Sequence, residues 1–163
     1  MQLYPLLIAF APIVMAFNFT GPDFDSKVNL SSPVVISWTS SGDSNLPLFD
    51  LFFHGDLAGS GGSFMYKLET NLTQSKTGNF TWDPTAVTKA LAAAENRLST
   101  EDDFYFEAKE HPLNGTGVVS STLSESFAVE GYEHMGESSS ASNPRMNGIL
   151  VGGMVVAVLA CLN

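Results

Sequence analysis

The chain has 163 residues and carries seventeen Asp and Glu against seven Lys and Arg, a net charge of −10. That balance excludes nucleic acid as a partner, because nucleic-acid binding rests on a positive footprint, and it argues equally against adsorption on anionic lipid. One cysteine, Cys161, leaves no disulfide framework, thiolate zinc site or catalytic thiol for the body of the chain.

Met1 to Ala16 reads as a secretory signal. An apolar stretch runs from Leu3 to Ile13, and Val14 and Ala16 occupy the small-residue positions of a cleavage site, so Phe17 is expected as the mature amino terminus. Its n-region is unusual in having no Lys or Arg ahead of the apolar run.

The segment after Ala16 holds short alternating stretches. Phe17 to Phe24 or Lys27 to Leu30 supplies an edge strand. Pro33 to Trp38 follows, with Val34, Ile36 and Trp38 on one side, and then Phe49 to Phe53. His54-Gly-Asp56 and the Gly59 to Ser63 run are expected to break that strand as a hairpin loop. Phe64 to Thr70 sets Phe64, Tyr66 and Leu68 against Met65, Lys67 and Glu69. Asn79 to Trp82, Asp102 to Lys109 and Thr122 to Val129 complete the series. One interruption is helical: Asp83 is the expected N-cap, Pro84 suits the first helical position, and Val87, Leu91, Ala94 and Leu98 recur on one face. The expected fold class is all-β, an immunoglobulin- or fibronectin-III-like antiparallel β-sandwich of about seven strands with one inserted helix over about 83–98.

Past Val129 the chain turns acidic and Ser-rich. Residues 17–130 are read as the sandwich, 131–147 as a short tether, and 148–163 as an apolar tail. From Gly148 to Leu162 there is no charge, yet at about 1.5 Å per residue this run spans roughly 22 Å, short of a ~30 Å hydrocarbon core. Small residues around Ser138 to Ser142, a polar spacer and a short apolar terminus are the order of a GPI-attachment signal, with Ser139 as acceptor and Ser138 and Ser140 as rivals. A short tail-anchor helix is the competing reading. Removal of both ends leaves 123 residues, with six basic against seventeen acidic side chains, a net charge of −11.

Five N-x-S/T triplets lie in that segment, at Asn18, Asn29, Asn71, Asn79 and Asn114, each a candidate glycosylation acceptor expected to face solvent. Chemistry is otherwise thinly signalled. His54, His111 and His134 have no ligand spacing, so no metal or other cofactor is expected. No serine sits in a G-x-S-x-G elbow, and Glu101-Asp102-Asp103 reads as a solvated turn. Paired carboxylates for glycoside hydrolysis remain open in a chain with seventeen acidic residues. For stacking on sugar rings, Trp38 and Trp82 look buried and Tyr132 is the best exposed candidate.

Together, Pro33 to Thr39, Phe49 to Phe53, Gly78 to Trp82, Phe104 to Phe106 and Ser124-x-Ser126-Phe-Ala-Val129 make a pattern that resembles the amino-terminal domain of the fungal yeast-cell-wall-synthesis family, also described as Ser/Thr-rich GPI-anchored membrane proteins and linked to killer-toxin resistance. The resemblance implies an extracellular immunoglobulin-like domain associated with β-1,6-glucan assembly, with no catalytic residue to carry over. Two features depart from it: the Ser-rich stretch is short, and the 83–98 helix widens one gap between strands. Expected partners are wall glucan or other wall glycans, and the membrane through a GPI lipid. The function expected is that of a non-enzymatic surface glycoprotein, with a lectin-like or carbohydrate-active protein as the alternative.

Overall fold

The computed structural model describes residues 17–42, 45–59, 62–115, 117 and 120–136. The expected signal segment up to Ala16, the acceptor Ser139 and the apolar tail lie outside the described residues. Among the described residues, no helix is long and apolar enough to cross a membrane.

Among the described residues, nine strands and one helix follow in order. They are β1 (Asn18–Gly21), β2 (Val28–Asn29), β3 (Val34–Thr39), β4 (Leu48–Asp56), β5 (Ser63–Thr73), β6 (Thr77–Trp82), α1 (Thr85–Ala93), β7 (Tyr105–His111), β8 (Ser120–Leu123) and β9 (Val129–Glu130). Seven of the strands form two antiparallel layers, β1-β3-β6 and β5-β4-β7-β8, and the short β2 and β9 pair in parallel. The protein is an all-β sandwich with one helix. Period-2 alternation produces it: Val34, Ile36 and Trp38 of β3 and Phe49, Leu51 and Phe53 of β4 turn inward and are buried.

Aromatic rings join the layers. Phe53 lies 4.9 Å from Trp82 and 5.8 Å from Phe106, and Trp38 meets Phe49 edge-on at 5.0 Å. Each such ring removed from water contributes on the order of 2–3 kcal/mol, and with no cysteine among residues 17–136 this packing holds the fold together. Phe17 belongs to the same core, 5% exposed and 4.9 Å from Phe49.

Several elements depart from the expectations above. β4 does not stop at Phe53 but continues through His54 and Gly55 to Asp56, because inward-facing Gly55 lies against Phe104 and leaves the strand room to run on. Both expected edge strands form, as β1 and β2. The stretch Thr122 to Val129 is two strands rather than one: the Ser124 hydroxyl accepts the Phe106 N–H at 2.9 Å, where a ladder carbonyl would otherwise stand. The helix is shorter than expected and begins later. Asp83 still accepts the Thr85 N–H at 3.0 Å, but it sits one residue before the cap position at Pro84. At the other end Glu95 adopts φ +55 and the Asn96 N–H returns to the Leu91 carbonyl, which stops the helix well short of Leu98. Leu98 is fully buried all the same, bridging Leu57 and Met135 in extended conformation.

The expected boundary at 130 also moves. Tyr132 is buried, its hydroxyl donating to the Asn96 carbonyl at 2.9 Å, and the Gly136 N–H donates to Leu98 at 2.7 Å. Residues 131–136 are therefore part of the packed sandwich and not of a tether. Burial of Tyr132, at 6% exposure, also removes it as a sugar-stacking platform.

Candidate functional site

The two layers present two outer faces of different chemistry. On β1, β3 and β6 the outward positions are Asn18 and Thr20, then Val35, Ser37 and Thr39, then Thr77, Asn79 and Thr81, none of them ionisable. Asn18 pairs across with Thr39 and Asn79 with Ser37, so the two sequon asparagines flank β3 on the same face. All five sequon asparagines, Asn18, Asn29, Asn71, Asn79 and Asn114, are exposed.

Four of the five triplets share one structural logic. In Asn18-Phe-Thr20, Asn29-Leu-Ser31, Asn71-Leu-Thr73 and Asn79-Phe-Thr81 the middle residue turns toward the core while both flanking polar residues face solvent. In β1, β5 and β6 strand period dictates this, because residues i and i+2 share a face, while Leu30 and Ser31 lie in the turn that follows β2. Asn29 also bonds within its triplet, its side-chain oxygen accepting from the Ser31 N–H at 2.8 Å and the Ser31 hydroxyl at 2.7 Å. Asn71 takes φ +57, a left-handed conformation that Asn tolerates better than most residues.

The outer face of β5-β4-β7-β8 gathers ionisable groups instead. Its centre is Phe52, which points outward yet is only 6% exposed. Lys67 lies directly opposite it on β5 and Glu107 on β7. The Lys67 and Lys109 ammonium groups sit 5.3 and 4.5 Å from the Phe52 ring centroid, so the two aliphatic stems roof the ring. Each lysine has a carboxylate: Lys67 meets Asp50 at 3.0 Å and Lys109 meets Glu107 at 3.4 Å.

Both histidines of this face are tied into the same pairs. His54 stacks on Tyr105 at 4.6 Å and its Nε2 is 2.7 Å from Glu107. Burial holds the His54 pKa below its ordinary value, against the pull of Glu107 and with help from the Lys109 charge. His111 directs Nε2 to Asp50 at 3.3 Å and Nδ1 to the Pro112 carbonyl at 3.1 Å. Burial works against the Glu107 carboxylate, but the Ser121 hydroxyl, Lys109 and His54 outweigh it and keep its pKa below the usual range. Asp50 behaves alike: burial opposes its charge, and Lys67, the Asn71 N–H and His111 overcome it.

The order of these contacts decides the chemistry. Ser121 donates to Glu107, and Glu107 is in turn paired with His54. The carboxylate stands between hydroxyl and imidazole, whereas hydroxyl activation needs the imidazole between the other two. Among the described residues, no three His, Cys, Asp or Glu come together as metal ligands. His134 lies apart, 3.2 Å from Glu133. Glu101, Asp102 and Asp103 form a turn, with Asp103 accepting from the Ser99 hydroxyl at 2.7 Å. Asp102 also lines an open groove of about 310 Å³ with Asp25, Lys27 and Glu125.

No family model, curated protein or solved structure matches this chain. The site is therefore read from its residues alone. The sequon asparagines lie outward and both tryptophans, 4% and 5% exposed, lie in the core, as the alternation of the sequence predicts. The face around Phe52 is not predicted by it. The signal was present as polar alternation, Asp50-x-Phe52-x-His54 and Tyr105-x-Glu107-x-Lys109-x-His111, but the register that sets Asp50 beside Lys109 is a tertiary fact.

Proposed function

We propose that this protein is a non-enzymatic, N-glycosylated cell-surface β-sandwich, held at the membrane by a GPI lipid and contributing to cell-wall organisation. The observation that carries the reading is the repeated pattern in which sequon Asn and Ser/Thr both face solvent around a residue turned to the core, in three strands and in the turn that follows β2. Conjugation there leaves the interior untouched, since every acceptor side chain already faces water.

Two further observations support it. Phe17, the residue expected at the cleaved terminus, has its ring packed against Phe19 at 5.1 Å and Phe49 at 4.9 Å, so cleavage after Ala16 leaves every described core residue in the chain. The carboxylates of the Phe52 face are engaged by lysines and histidines, an arrangement of standing ion pairs rather than of a free acid and base. The link to wall glucan rests on the resemblance to the yeast-cell-wall-synthesis family.

Three measurements on the protein expressed in a fungal host test the reading. Endoglycosidase should lower its mass at several sites, amino-terminal sequencing should begin at Phe17, and phosphatidylinositol-specific phospholipase should release it from intact cells. A chain with unmodified asparagines, or one that phospholipase leaves in place, overturns it. Turnover of a wall glucan by the purified protein would defeat the non-enzymatic part alone.

A further inference from the structure

The geometry points to the outer face of β5-β4-β7-β8 as a self-association surface, on which two copies of this chain pack face to face about a twofold axis parallel to the strands. The inference starts from register. Asp50 lies beside Lys109, Phe52 beside Glu107, and His54 beside Tyr105, each pair spanning the β4–β7 boundary. A twofold axis running along that boundary, in the plane between two facing sheets, sets every β4 residue of one copy opposite its β7 neighbour in the other. Asp50 then faces Lys109 of the second copy, and Lys109 faces its Asp50. Glu107 of the second copy meets Phe52, above which Lys67 and Lys109 hold their ammonium groups. His54 and Tyr105 exchange in the same way. The face is thus complementary to itself, carboxylate to ammonium, without any rearrangement of the backbone.

Charge permits contact at this face. On a chain of net charge −10, copies repel. Around Phe52 two lysines are matched by two carboxylates, so the centre of this face is neutral. Exposed apolar side chains flank it, Met65 on β5 at 43% and Leu123 on β8 at 56%. On the glycoprotein reading, glycans at Asn18 and Asn79 would bar the opposite sheet, and one at Asn71, whose N–H meets Asp50 at 3.1 Å, would crowd the rim of this contact.

Strand spacing and rise give a contact of roughly 450 Å² per copy, at the small end for specific association. The expected result is a weak dimer that forms in proportion to concentration and is strengthened when both copies are tethered to one membrane.

Sedimentation equilibrium of the purified full chain tests this, before and after enzymatic deglycosylation. The deglycosylated chain should dimerise, and the glycosylated one no more tightly, since Asn71 stands on this sheet beside Asp50. Asp50→Lys and Lys109→Glu should each weaken dimerisation by about tenfold or more, because each sets like charges opposite one another. Mixed in equal amounts, the two variants should restore it: one then presents two lysines at these positions and the other two carboxylates. Misfolding of either variant cannot produce that rescue, and circular dichroism of each checks the fold. A monomer at all concentrations up to about 1 mM, or mixed variants no more associated than either alone, overturns the inference. A chain that lacks carbohydrate yet dimerises leaves it standing while refuting the glycoprotein reading.

Discussion

The two outer faces of the sandwich rest on one shared interior and have opposite exteriors. Phe19 and Trp38 of one layer and Phe49 and Phe106 of the other enter the same aromatic core. Outside, the β1-β3-β6 layer shows amides, hydroxyls and Val35 with no ionisable group, while the β5-β4-β7-β8 layer concentrates Asp50, His54, Lys67, Glu107 and Lys109. The interior is set by the need to remove rings from water, which both sheets share. The exterior is free of that need, and the difference there separates an uncharged face from one whose charges meet in pairs.

Two adjacent phenylalanines offer the sharpest test of inside against outside. Phe53 is fully buried and touches rings on both layers, whereas Phe52 lies on the outer face beneath the stems of Lys67 and Lys109. Phe53→Ala is expected to cost about 4 kcal/mol, as large aromatic truncations in a packed core do, and Phe52→Ala about 1–2 kcal/mol because water can follow the lysines in. Chemical denaturation of both variants decides it. Equal losses would mean that the face around Phe52 is as dry as the core, and the contrast between inside and outside would fail.

A second pair compares the two layers at positions where a side chain is missing. Gly55 on β4 lies against the Phe104 ring, and Gly78 on β6 lies against the Trp38 indole, each so close that a methyl group would stand inside the ring's van der Waals envelope. Gly55→Ala and Gly78→Ala are each expected to cost about 1–3 kcal/mol through overpacking. The larger loss is expected at Gly55, where Phe64 closes the other side of the added methyl. Tryptophan fluorescence should shift in Gly78→Ala and not in Gly55→Ala. The reverse would show that the layers yield differently from what their contacts imply.

These contrasts also show where the sequence was legible. Strand period made the inward residues readable, from Val34-x-Ile36-x-Trp38 to Phe64-x-Tyr66-x-Leu68, and with them the sandwich and the outward sequons. Ends of elements were less legible, because they depend on partners far away in sequence. The Ser124 hydroxyl that divides β8 from β9 acts through Phe106, eighteen residues away, and Tyr132 is buried because its hydroxyl finds Asn96. The Phe52 face was the least legible part. A lysine beside a carboxylate in sequence says nothing of which lysine roofs which ring, and that follows only from the pairing of β4 with β5 and β7.

Acid should destabilise the ionised face in two stages while leaving the uncharged one unaffected. His54 is held below its ordinary pKa, first by burial, so the unfolded chain takes up a proton before the folded one; stability then falls as pH drops below about 6.5. Glu107 and Asp50 are depressed too, burial notwithstanding. Their contribution is complete above the ordinary values of 4.5 and 3.8 and is lost as pH falls through the lower folded values. Melting temperatures measured from pH 7.5 to pH 3 should show both declines. His54→Asn should remove the first and keep the second, and an unchanged first decline in that variant would place its origin elsewhere.

The smallest expected effect lies at the end of β4, where the matching of charges on this face breaks down. Asp56 meets another carboxylate, Asp103, rather than a lysine, and its pKa is raised, first by burial and then by that neighbour. A raised carboxylate has the opposite sign from Asp50: its charge opposes folding at neutral pH, and the opposition fades as pH falls through the folded value toward 3.8. Asp56→Asn should therefore raise the melting temperature slightly at pH 7, by the equivalent of about 0.5 kcal/mol or less, since the side chain is exposed and water screens Asp103. The gain should vanish near pH 3.5. The backbone carbonyl of Asp56 keeps its bond from the Ser99 N–H in either case, so the substitution reports on charge alone. A loss of stability at pH 7 would mean that the Asp56 carboxylate helps to hold the β4 end, and that the balance of charge on this face extends beyond Phe52 to its rim.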